Sequence, residues 1–200
     1  MKGYYFITDA SLSRAGNMSD IRKAVAAGVK FVQYRHKAAD MESLCKEARA
    51  LRKICRDIAL LINDRVDVAL SVGADGVHLG QGDLSCRAAR KLLGRGKIIG
   101  VTVRAVEQAI EAVNAGADYV AVGPVFKTGT KTDAGKPVGT ELIRKIRKTV
   151  SLPLVAIGGI KLDNAREVLD AGADAICAIS PVVTKANVKA EIGKFQVLFR

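Results

Sequence analysis

Short apolar runs alternate along the chain with longer stretches in which apolar residues recur every three or four positions. Eight of the short runs predict strands, at residues 4–8, 31–34, 59–62, 76–79, 98–102, 119–122, 153–157 and 175–179. These runs are apolar throughout and rich in β-branched residues, which is typical of parallel strands buried on both faces. The stretches between them predict helices near residues 20–26, 41–56, 66–72, 84–93, 105–115, 140–149, 163–171 and 186–195.

Four of the predicted helices end at a glycine with similar surroundings, at Gly28, Gly73, Gly116 and Gly172. Glycine just past a helix adopts the left-handed conformation without steric cost, so it marks the end of the helix. The glycines are 45, 43 and 56 residues apart, about the length of two strand-helix units. Four double units make eight strands, which predicts a single (β/α)8 TIM barrel with its chemistry at the carboxyl ends of the strands. An open, doubly wound α/β sheet is the rival fold, but it does not require fourfold repetition.

The chain of 200 residues contains no Pro- or Ser-rich linker, so residues 1–200 are expected to form a single barrel domain. The cysteines lack a C-x-x-C spacing and are expected to be buried thiols; they are Cys45, Cys55, Cys86 and Cys177. A strand is predicted close to the N-terminus, which leaves no room for a signal peptide. No apolar stretch reaches the ~18 residues that would span a bilayer. These features favour a cytoplasmic, reducing setting.

The net charge of +12 has two interpretations, a nucleic-acid-binding surface or an enzyme with anionic substrates. Aromatic residues make up only 4% of the chain and Trp is absent, which argues against a stacking platform for single strands. The basic residues are also dispersed along the sequence. We therefore expect small anionic partners, with no nucleic acid and no membrane. Apolar residues near the C-terminus, Phe195, Leu198 and Phe199, fit either a homo-oligomer interface or a cap on the barrel.

Polar residues follow the second predicted strand at alternating positions, Gln33, Arg35 and Lys37. Residues two apart on a strand point the same way, so these three side chains are expected to face one side together. Two cations are costly to bury at a barrel mouth without an anion. The pattern favours a clamp for a diphosphate, in which Arg35 binds two oxygens at once. The alternative is an exposed strand tip.

Two carboxylates follow the next strands of the predicted barrel, Asp64 after the third and Asp83 after the fourth. Because these ends are neighbours, the two aspartates can share one Mg²⁺, whose shell is completed by water and substrate phosphates. Each aspartate is equally suited to be the N-cap of the helix that follows it. His78 is interpreted as a structural group that orients a neighbour, and Thr102 brings a hydroxyl to the same mouth.

A second group of strand ends is neutral and suits phosphate. The stretch 123–137 is long for a loop in a compact barrel and contains hydroxyls, glycines and lysines. Gly158 and Gly159 follow the seventh strand, and Ser180 follows the eighth, the positions at which barrels commonly bind phosphate. Two anion sites side by side predict two phosphorylated substrates. The alternative for the long stretch is a flexible basic loop.

With these residues in view, the chain resembles the thiamine-phosphate synthase family. The resemblance covers nearly the whole sequence and rests on the segments Tyr5-Phe6-Ile7-Thr8-Asp9, Gln33-x-Arg35-x-Lys37, Asn63-Asp64-Arg65-Val66-Asp67, Gly76-Val77-His78-Leu79-Gly80-Gln81, Gly123-Pro124-Val125-Phe126, Thr128-x-Thr130-Lys131 and Ala156-Ile157-Gly158-Gly159-Ile160. The resemblance implies a (β/α)8 barrel that joins hydroxymethylpyrimidine diphosphate to hydroxyethylthiazole phosphate. The products are thiamine phosphate and diphosphate, which makes the enzyme a transferase of a pyrimidinylmethyl group.

The resemblance also implies roles for individual residues. The pyrimidine diphosphate would be held by Gln33, Arg35, Lys37, Asn63, Thr102 and Lys131, of which Arg35, Thr102 and Lys131 are the expected catalytic residues. Mg²⁺ would be held by Asp64 and Asp83. The thiazole phosphate would be held by Thr128, Gly129, Thr130, Gly159, Ile179 and Ser180. The bond forms without a general base, because the thiazole nitrogen carries no proton.

The chain departs from the family pattern after the fifth predicted strand. The family commonly shows Gly-x-Ser-x-His there, and this chain has Gly100-Val101-Thr102-Val103-Arg104. Thr102 keeps the hydroxyl, whereas Arg104 replaces the His that a sister family of thiazole tautomerases is thought to use. The absence of that His, with Asp64, Asp83 and Lys131 retained, argues against a tautomerase. A tautomerase or another phosphate-binding isomerase on the same barrel remains the alternative function.

Overall fold

The computed structural model describes residues 1–130 and 134–200, which form strands and helices in alternation. The strands are β1 Gly3–Tyr4, β2 Phe6–Ile7, β3 Phe31–Tyr34, β4 Ala59–Asn63, β5 Gly76–Leu79, β6 Ile98–Val103, β7 Tyr119–Val122, β8 Leu154–Ile157 and β9 Ala175–Cys177. The helices are α1 Asn17–Ala26, α2 Met41–Ile54, α3 Val66–Val72, α4 Cys86–Leu93, α5 Val106–Asn114, α6 Gly139–Thr149, α7 Ala165–Asp170, α8 Ser180–Val183 and α9 Val188–Gln196, followed by a 3-10 turn, Val197–Phe199.

All the paired strands are parallel, in the order β1-β9-β8-β7-β6-β5-β4-β3-β2. The first predicted strand is divided between the two edges of this sheet: Gly3 and Tyr4 pair with β9, whereas Phe6 and Ile7 pair with β3. The backbone N–H of Tyr5, between the two halves, still donates to Ile176 O at 2.9 Å. One short segment therefore joins both edges and closes an eight-stranded barrel. The prediction of a (β/α)8 barrel is confirmed, and the open doubly wound sheet is wrong.

The hydrophobic core has two parts, as expected for a barrel whose strands are buried on both faces. Alternate strand residues point inward and pack with one another inside the barrel; they include Tyr5, Ile7, Leu61, Tyr119 and Val155. The larger part lies between the barrel and its helices. The inward and outward alternation is hidden in the sequence because both sets of residues are apolar.

Three aspartates repeat one role at the amino ends of the strands. Asp118, just before β7, accepts from the backbone N–H of Ile99 in β6 at 2.7 Å and from Arg90 of α4 at 2.6 Å. The same arrangement joins Asp75, Leu60 and Arg52, and again Asp174, Leu154 and Arg147. Each aspartate thus ties its own strand and the strand before it to the helix that precedes that earlier strand. Each tie therefore spans two strand-helix units.

Several boundaries differ from the predicted ones. The last strand was expected to reach residue 179 but ends at Cys177, because the chain turns into the short helix α8 with Pro181 in its first turn. Helix α8 itself was not predicted. Helix α4 begins at Cys86, two residues late, because the Ser85 hydroxyl accepts from the Ala88 N–H and caps it.

The C-terminal aromatic residues cap the barrel in this chain. Phe195 is buried and stacks on Tyr4 with ring centroids 5.4 Å apart, and Leu198 and Phe199 are partly buried against the same core. All four cysteines are free thiols, but Cys45 and Cys86 are only half-buried, so the expectation of burial is wrong for these two. Within the described ranges, none of the helices has both the length and the apolar character needed to cross a membrane.

Candidate active site

A cavity of about 660 Å³ opens at the carboxyl ends of the strands. Every proposed site residue that belongs to the described part of the chain lines this cavity. The lining residues among those predicted are Gln33, Arg35, Lys37, Asn63, Asp64, Asp83, Thr102, Thr128, Gly129, Thr130, Gly159, Ile179 and Ser180. Lys131 lies outside the described residues, and His78, interpreted as structural, also lines the cavity. The ring closure therefore brings together residues that are up to 147 positions apart.

The residues of the predicted clamp reach the cavity at three depths. Gln33 is buried in the barrel and donates from its side-chain amide to the Tyr5 hydroxyl at 2.9 Å. The Arg35 side chain is 18% exposed, whereas that of Lys37 is 56% exposed at the rim. The interpretation as a purely exposed strand tip is therefore wrong for Gln33 and Arg35. The neutral amide lies deepest and the two cations lie above it.

Arg35 is fixed by a buried carboxylate that the sequence analysis did not assign. One guanidinium nitrogen, Nη1, donates to Asp9 Oδ2 at 2.6 Å, and the backbone N–H of Arg35 donates to the Thr8 hydroxyl at 2.8 Å. Asp9 is 1% exposed and also accepts from Ser11. Among the described residues the rest of the guanidinium has no partner, so it is available to an anion in the cavity. The sequence feature that could have identified Asp9 is a carboxylate directly after an apolar strand.

Asp64 and Asp83 lie side by side at the rim. Lys37 Nζ donates to Asp64 Oδ2 at 2.5 Å, and the Gly80 N–H donates to Asp83 Oδ2 at 2.7 Å. Burial raises the pKa of Asp83, and the contact with the Asp64 carboxyl raises it further. Two carboxyl groups this close repel each other when both are ionised, and one lysine offsets that repulsion only in part.

The helix-capping alternatives for these aspartates are wrong. The residue at the N-cap of α3 is Arg65, and Asp64 instead adopts a left-handed backbone conformation, with φ of 62°, and turns toward Lys37. At α4 the capping hydroxyl is that of Ser85. Because neither aspartate caps a helix, both carboxylates are available to the cavity, which both residues line. No group of three or more His, Cys, Asp or Glu residues suited to a metal occurs in the described part of the chain, so a cation here would have only this pair.

Thr102 is held from below by His78. The Nε2 atom of His78 lies 2.8 Å from the Thr102 hydroxyl, and its Nδ1 atom lies 2.8 Å from the hydroxyl of Tyr119. The backbone oxygen of Thr102 accepts from Gln81 at 2.7 Å. His78 therefore orients a neighbour, in agreement with the structural interpretation.

The described part of the loop after β7 is tied to the end of β8. The N–H groups of Val125 and Phe126 donate to Ile157 O and Gly158 O at 2.9 and 3.0 Å. A Cβ atom on Gly159, whose φ is 66°, would lie 2.5 Å from the backbone oxygen of Lys127, so only glycine fits this close approach. At Val125 and Phe126 the loop is therefore packed against the end of β8.

The second half of the cavity is less neutral than expected. Thr128, Gly129, Thr130, the Gly-Gly turn and Ser180 line the cavity, but so do Lys127 and Lys161. Arg104 also lines the cavity and donates to Lys136 O at 3.0 Å. The sequence signal for Lys161, a cation two residues after the Gly-Gly pair, was visible but was not used. The cavity thus combines a half with cations and paired carboxylates and a half with hydroxyls, glycines and lysines.

A closed parallel barrel with this cavity at the carboxyl ends of its strands belongs to the class of (β/α)8-barrel enzymes that bind phosphorylated small molecules. Within that class, the chain belongs to the thiamine monophosphate synthase family, whose family model matches residues 4–182. The family predicted from the sequence motifs is therefore confirmed.

Individual relatives agree with this assignment. The chain is 48% identical to a thiamine-phosphate synthase of Methanosarcina mazei over 198 residues, covering 98% of this chain and 82% of the relative. It is 46% identical to the corresponding protein of Chloroflexus aurantiacus, covering 97% and 91%. A solved structure, the thiamine phosphate pyrophosphorylase from Pyrococcus furiosus, superposes with a TM-score of 0.90 at 39% identity and covers 98% of this chain and 95% of that one.

Proposed function

We propose that this single-domain chain makes thiamine phosphate by transferring a hydroxymethylpyrimidine group from its diphosphate to a hydroxyethylthiazole phosphate. The observation that carries the proposal is the single cavity with two unlike anion-binding halves, described above. The family membership gives the chemical identity of the two substrates, since the shape of the cavity alone would fit other pairs of phosphorylated molecules.

The depth of the side chains suggests how the pyrimidine diphosphate binds. Gln33, buried and uncharged, suits the neutral ring, whereas Arg35 and Lys37 lie nearer the rim and suit the diphosphate. Asn63 and Thr102 line the same half. By the resemblance, Lys131 completes this half and, with Arg35 and Thr102, stabilises the charge of the leaving group. Thr128, Gly129, Thr130, Gly159, Ile179 and Ser180 would hold the thiazole phosphate.

These residues favour a substitution in which departure of the diphosphate leads. The carbon–oxygen bond to diphosphate breaks, the electron-rich aminopyrimidine carries the resulting positive charge, and the thiazole nitrogen attacks the methylene carbon. No proton leaves the nitrogen, so no general base is required. The protein contributes positioning of the two substrates and stabilisation of negative charge as it develops on the leaving group.

Mg²⁺ fits the carboxylate pair. Oxygen ligands from one or two carboxylates, with water and substrate phosphates, are the usual shell of this ion, and Asp64 and Asp83 supply two such groups beside the proposed diphosphate site. The repulsion that raises the pKa of Asp83 is the kind that a divalent cation offsets. When bound, Mg²⁺ would neutralise charge on the leaving diphosphate.

The setting of the enzyme is proposed from the same features. We expect a cytoplasmic protein with two phosphorylated small-molecule substrates and with neither nucleic acid nor membrane as a partner. A homo-oligomer interface would not use Phe195, because its ring is buried against Tyr4 of the barrel. An exposed apolar groove formed by Leu70, Leu84 and Leu92 is a more suitable contact surface.

The direct test is incubation of the purified chain with both phosphorylated substrates and Mg²⁺. We expect thiamine phosphate and diphosphate in equal amounts, and loss of both products on addition of EDTA. Asp64→Ala and Lys131→Ala should each lower kcat/KM at least tenfold, about 1.4 kcal/mol or more. The matched control is Asp67→Ala, which removes a nearby exposed carboxylate paired with Arg65 outside the cavity.

Two results would contradict the proposal. If micromolar enzyme makes no thiamine phosphate, the proposed activity is wrong. If Asp64→Ala and Lys131→Ala both keep near-normal turnover, the proposed site is wrong. Conversion of a single thiazole substrate that is insensitive to EDTA would instead support the tautomerase alternative.

A further inference from the structure

A chain of five polar side chains crosses the interior of the barrel beneath the cavity. It runs from Gln33 on β3 through the hydroxyls of Tyr5 and Tyr119 to His78 on β5 and Thr102 on β6. The four successive donor–acceptor distances are 2.9, 2.9, 2.8 and 2.8 Å. The two tyrosines and Gln33 are each 1% exposed, so water does not compete with the two bonds among them. The two ends of the chain are residues proposed to contact the pyrimidine diphosphate.

The direction of hydrogen-bond donation along this chain follows from its first member. The Gln33 amide nitrogen can only donate, so the Tyr5 oxygen accepts from it. Burial raises the pKa of both tyrosines, so each phenol keeps its proton. Among the described residues, the only acceptor within reach of the Tyr5 hydroxyl is Tyr119. A buried donor without a partner costs about 1–3 kcal/mol, so Tyr5 donates to Tyr119.

The direction of hydrogen-bond donation is the same from Tyr119 through His78 to Thr102, at the rim of the cavity. Tyr119, having accepted from Tyr5, donates to His78 Nδ1. A neutral imidazole with Nδ1 as acceptor carries its hydrogen on Nε2, which then donates to the Thr102 hydroxyl oxygen. The hydrogen of the Thr102 hydroxyl is left to point into the cavity, because the oxygen is already used as an acceptor.

We infer that Tyr119 and Tyr5 are positioning residues, which set His78 in its Nε2–H tautomer and thereby present Thr102 to the diphosphate as a hydrogen-bond donor. This inference rests on the proposed function for the identity of the anion. The opposite direction of donation would require the Gln33 amide to be turned over. It would also direct an oxygen lone pair of Thr102 at a negatively charged ligand, which is unfavourable.

The fold holds Tyr119 in place for this role. Its ring stacks on His78 with centroids 5.6 Å apart and meets the Tyr5 ring edge-on at 6.0 Å. Space for the ring exists only because residue 100 is glycine: a Cβ atom there would lie 1.9 Å from Cζ of Tyr119. The hydroxyl is therefore fixed by packing on two sides and by hydrogen bonds at its tip.

Tyr119→Phe removes the hydroxyl and keeps the ring, which makes it the kinetic test. We expect kcat/KM for the pyrimidine diphosphate to fall roughly tenfold, with the KM for the thiazole phosphate unchanged. Tyr5→Phe should change the same constants in the same direction. The matched control is Tyr34→Phe, which removes another buried phenol, bonded to Glu47 at 2.5 Å outside the cavity, and should leave both constants unchanged.

The tautomer of His78 can be observed without turnover, by ¹⁵N NMR of the ligand-free protein. The chain has only two histidines, so His36→Gln assigns the signals. We expect a neutral ring protonated on Nε2 in the wild type and a mixture of tautomers in Tyr119→Phe. An Nδ1–H ring or an imidazolium in the wild type would overturn the inference, as would kinetics of Tyr119→Phe that match those of Tyr34→Phe.

The two measurements separate the inference from the proposed function. If the chain makes no thiamine phosphate but His78 is the Nε2–H tautomer, the proposed function fails while the orienting role of the tyrosines stands. If the chain is active and His78 is protonated on Nδ1, the function stands and the inference fails.

Discussion

At the scale of single residues, the cavity depends on charged groups that are partly neutralised before a substrate arrives. Arg35 is anchored by Asp9 and Lys37 by Asp64, so each cation is held in place through one bond. Anchoring lowers the entropy that a long side chain would lose on binding an anion. The carboxylate partners therefore contribute to positioning, and Asp9 does so from a site without access to solvent.

This arrangement predicts that Arg35 cannot be replaced by lysine. Arg35→Lys keeps the charge but loses the planar fork that bonds Asp9 and an anion at the same time. We expect kcat/KM for the pyrimidine diphosphate to fall by about tenfold or more, mainly through a higher KM. Steady-state kinetics with each substrate varied in turn would measure this.

The control for that substitution is Arg22→Lys, an exposed position on helix α1 outside the cavity. It should leave the kinetic constants within error of the wild type. Equal KM values for Arg35→Lys and the wild type would show that the fork is not used.

At the scale of elements, the aspartates that line the cavity and the aspartates that tie strands to helices lie at opposite ends of the strands. Asp75, Asp118 and Asp174 tie strands and helices together at the amino ends, whereas Asp64 and Asp83 face the cavity at the carboxyl ends. The same residue type thus has two roles according to which end of a strand it occupies. Stability and activity should therefore respond separately to substitutions at the two ends.

Asp118→Ala tests this separation. The substitution leaves the buried N–H of Ile99 without its acceptor and Arg90 without its carboxylate. We expect the free energy of unfolding to fall by about 1–2 kcal/mol, measured by urea denaturation, with kcat/KM unchanged. Asp57→Ala, an exposed aspartate with no hydrogen bond or ion pair in the described part of the chain, should be neutral. A loss of activity without a loss of stability in Asp118→Ala would contradict the separation.

Elements with a local sequence signal could be predicted, whereas contacts that depend on closure of the barrel could not. The helix 41–56 was predicted from the apolar spacing of Leu44, Ala48, Leu51 and Ile54. The first three are buried, whereas Ile54, the last residue of the helix, is only half-buried. Tyr5 and Tyr119 were treated as ordinary apolar strand residues, because nothing local indicates that two strands 114 positions apart would bring their hydroxyls to 2.9 Å. Helix α8 was not predicted because four residues are too few to show a periodic pattern.

At the scale of the whole molecule, the charge of +12 is consistent with anionic substrates. Five basic residues in the described part of the chain line the cavity, namely Arg35, Lys37, Arg104, Lys127 and Lys161. A positive field at a concave mouth raises the local concentration of small anions and speeds their association. Other basic residues of the described chain are paired with carboxylates, namely Arg52, Arg65, Arg90, Arg144, Arg147 and Lys194.

The corresponding prediction concerns oligonucleotides. We expect no binding of single-stranded or duplex DNA or RNA at ~50 mM salt, as measured by fluorescence anisotropy. Diphosphate should bind under the same conditions and should serve as the positive control. Oligonucleotide affinity that falls steeply with added salt would instead favour a nucleic-acid partner.

The division of the first strand between β9 and β3 has a consequence for how the molecule is made. Gly3 and Tyr4 are synthesised before the other strands of the barrel, but their partners Ala175 and Ile176 are synthesised after all of them. Until then the nascent sheet has two open edges, and such edges attract other chains. Protection by a chaperone during synthesis, or rapid capture of the N-terminal segment once the last strand emerges, would decide the yield of active enzyme.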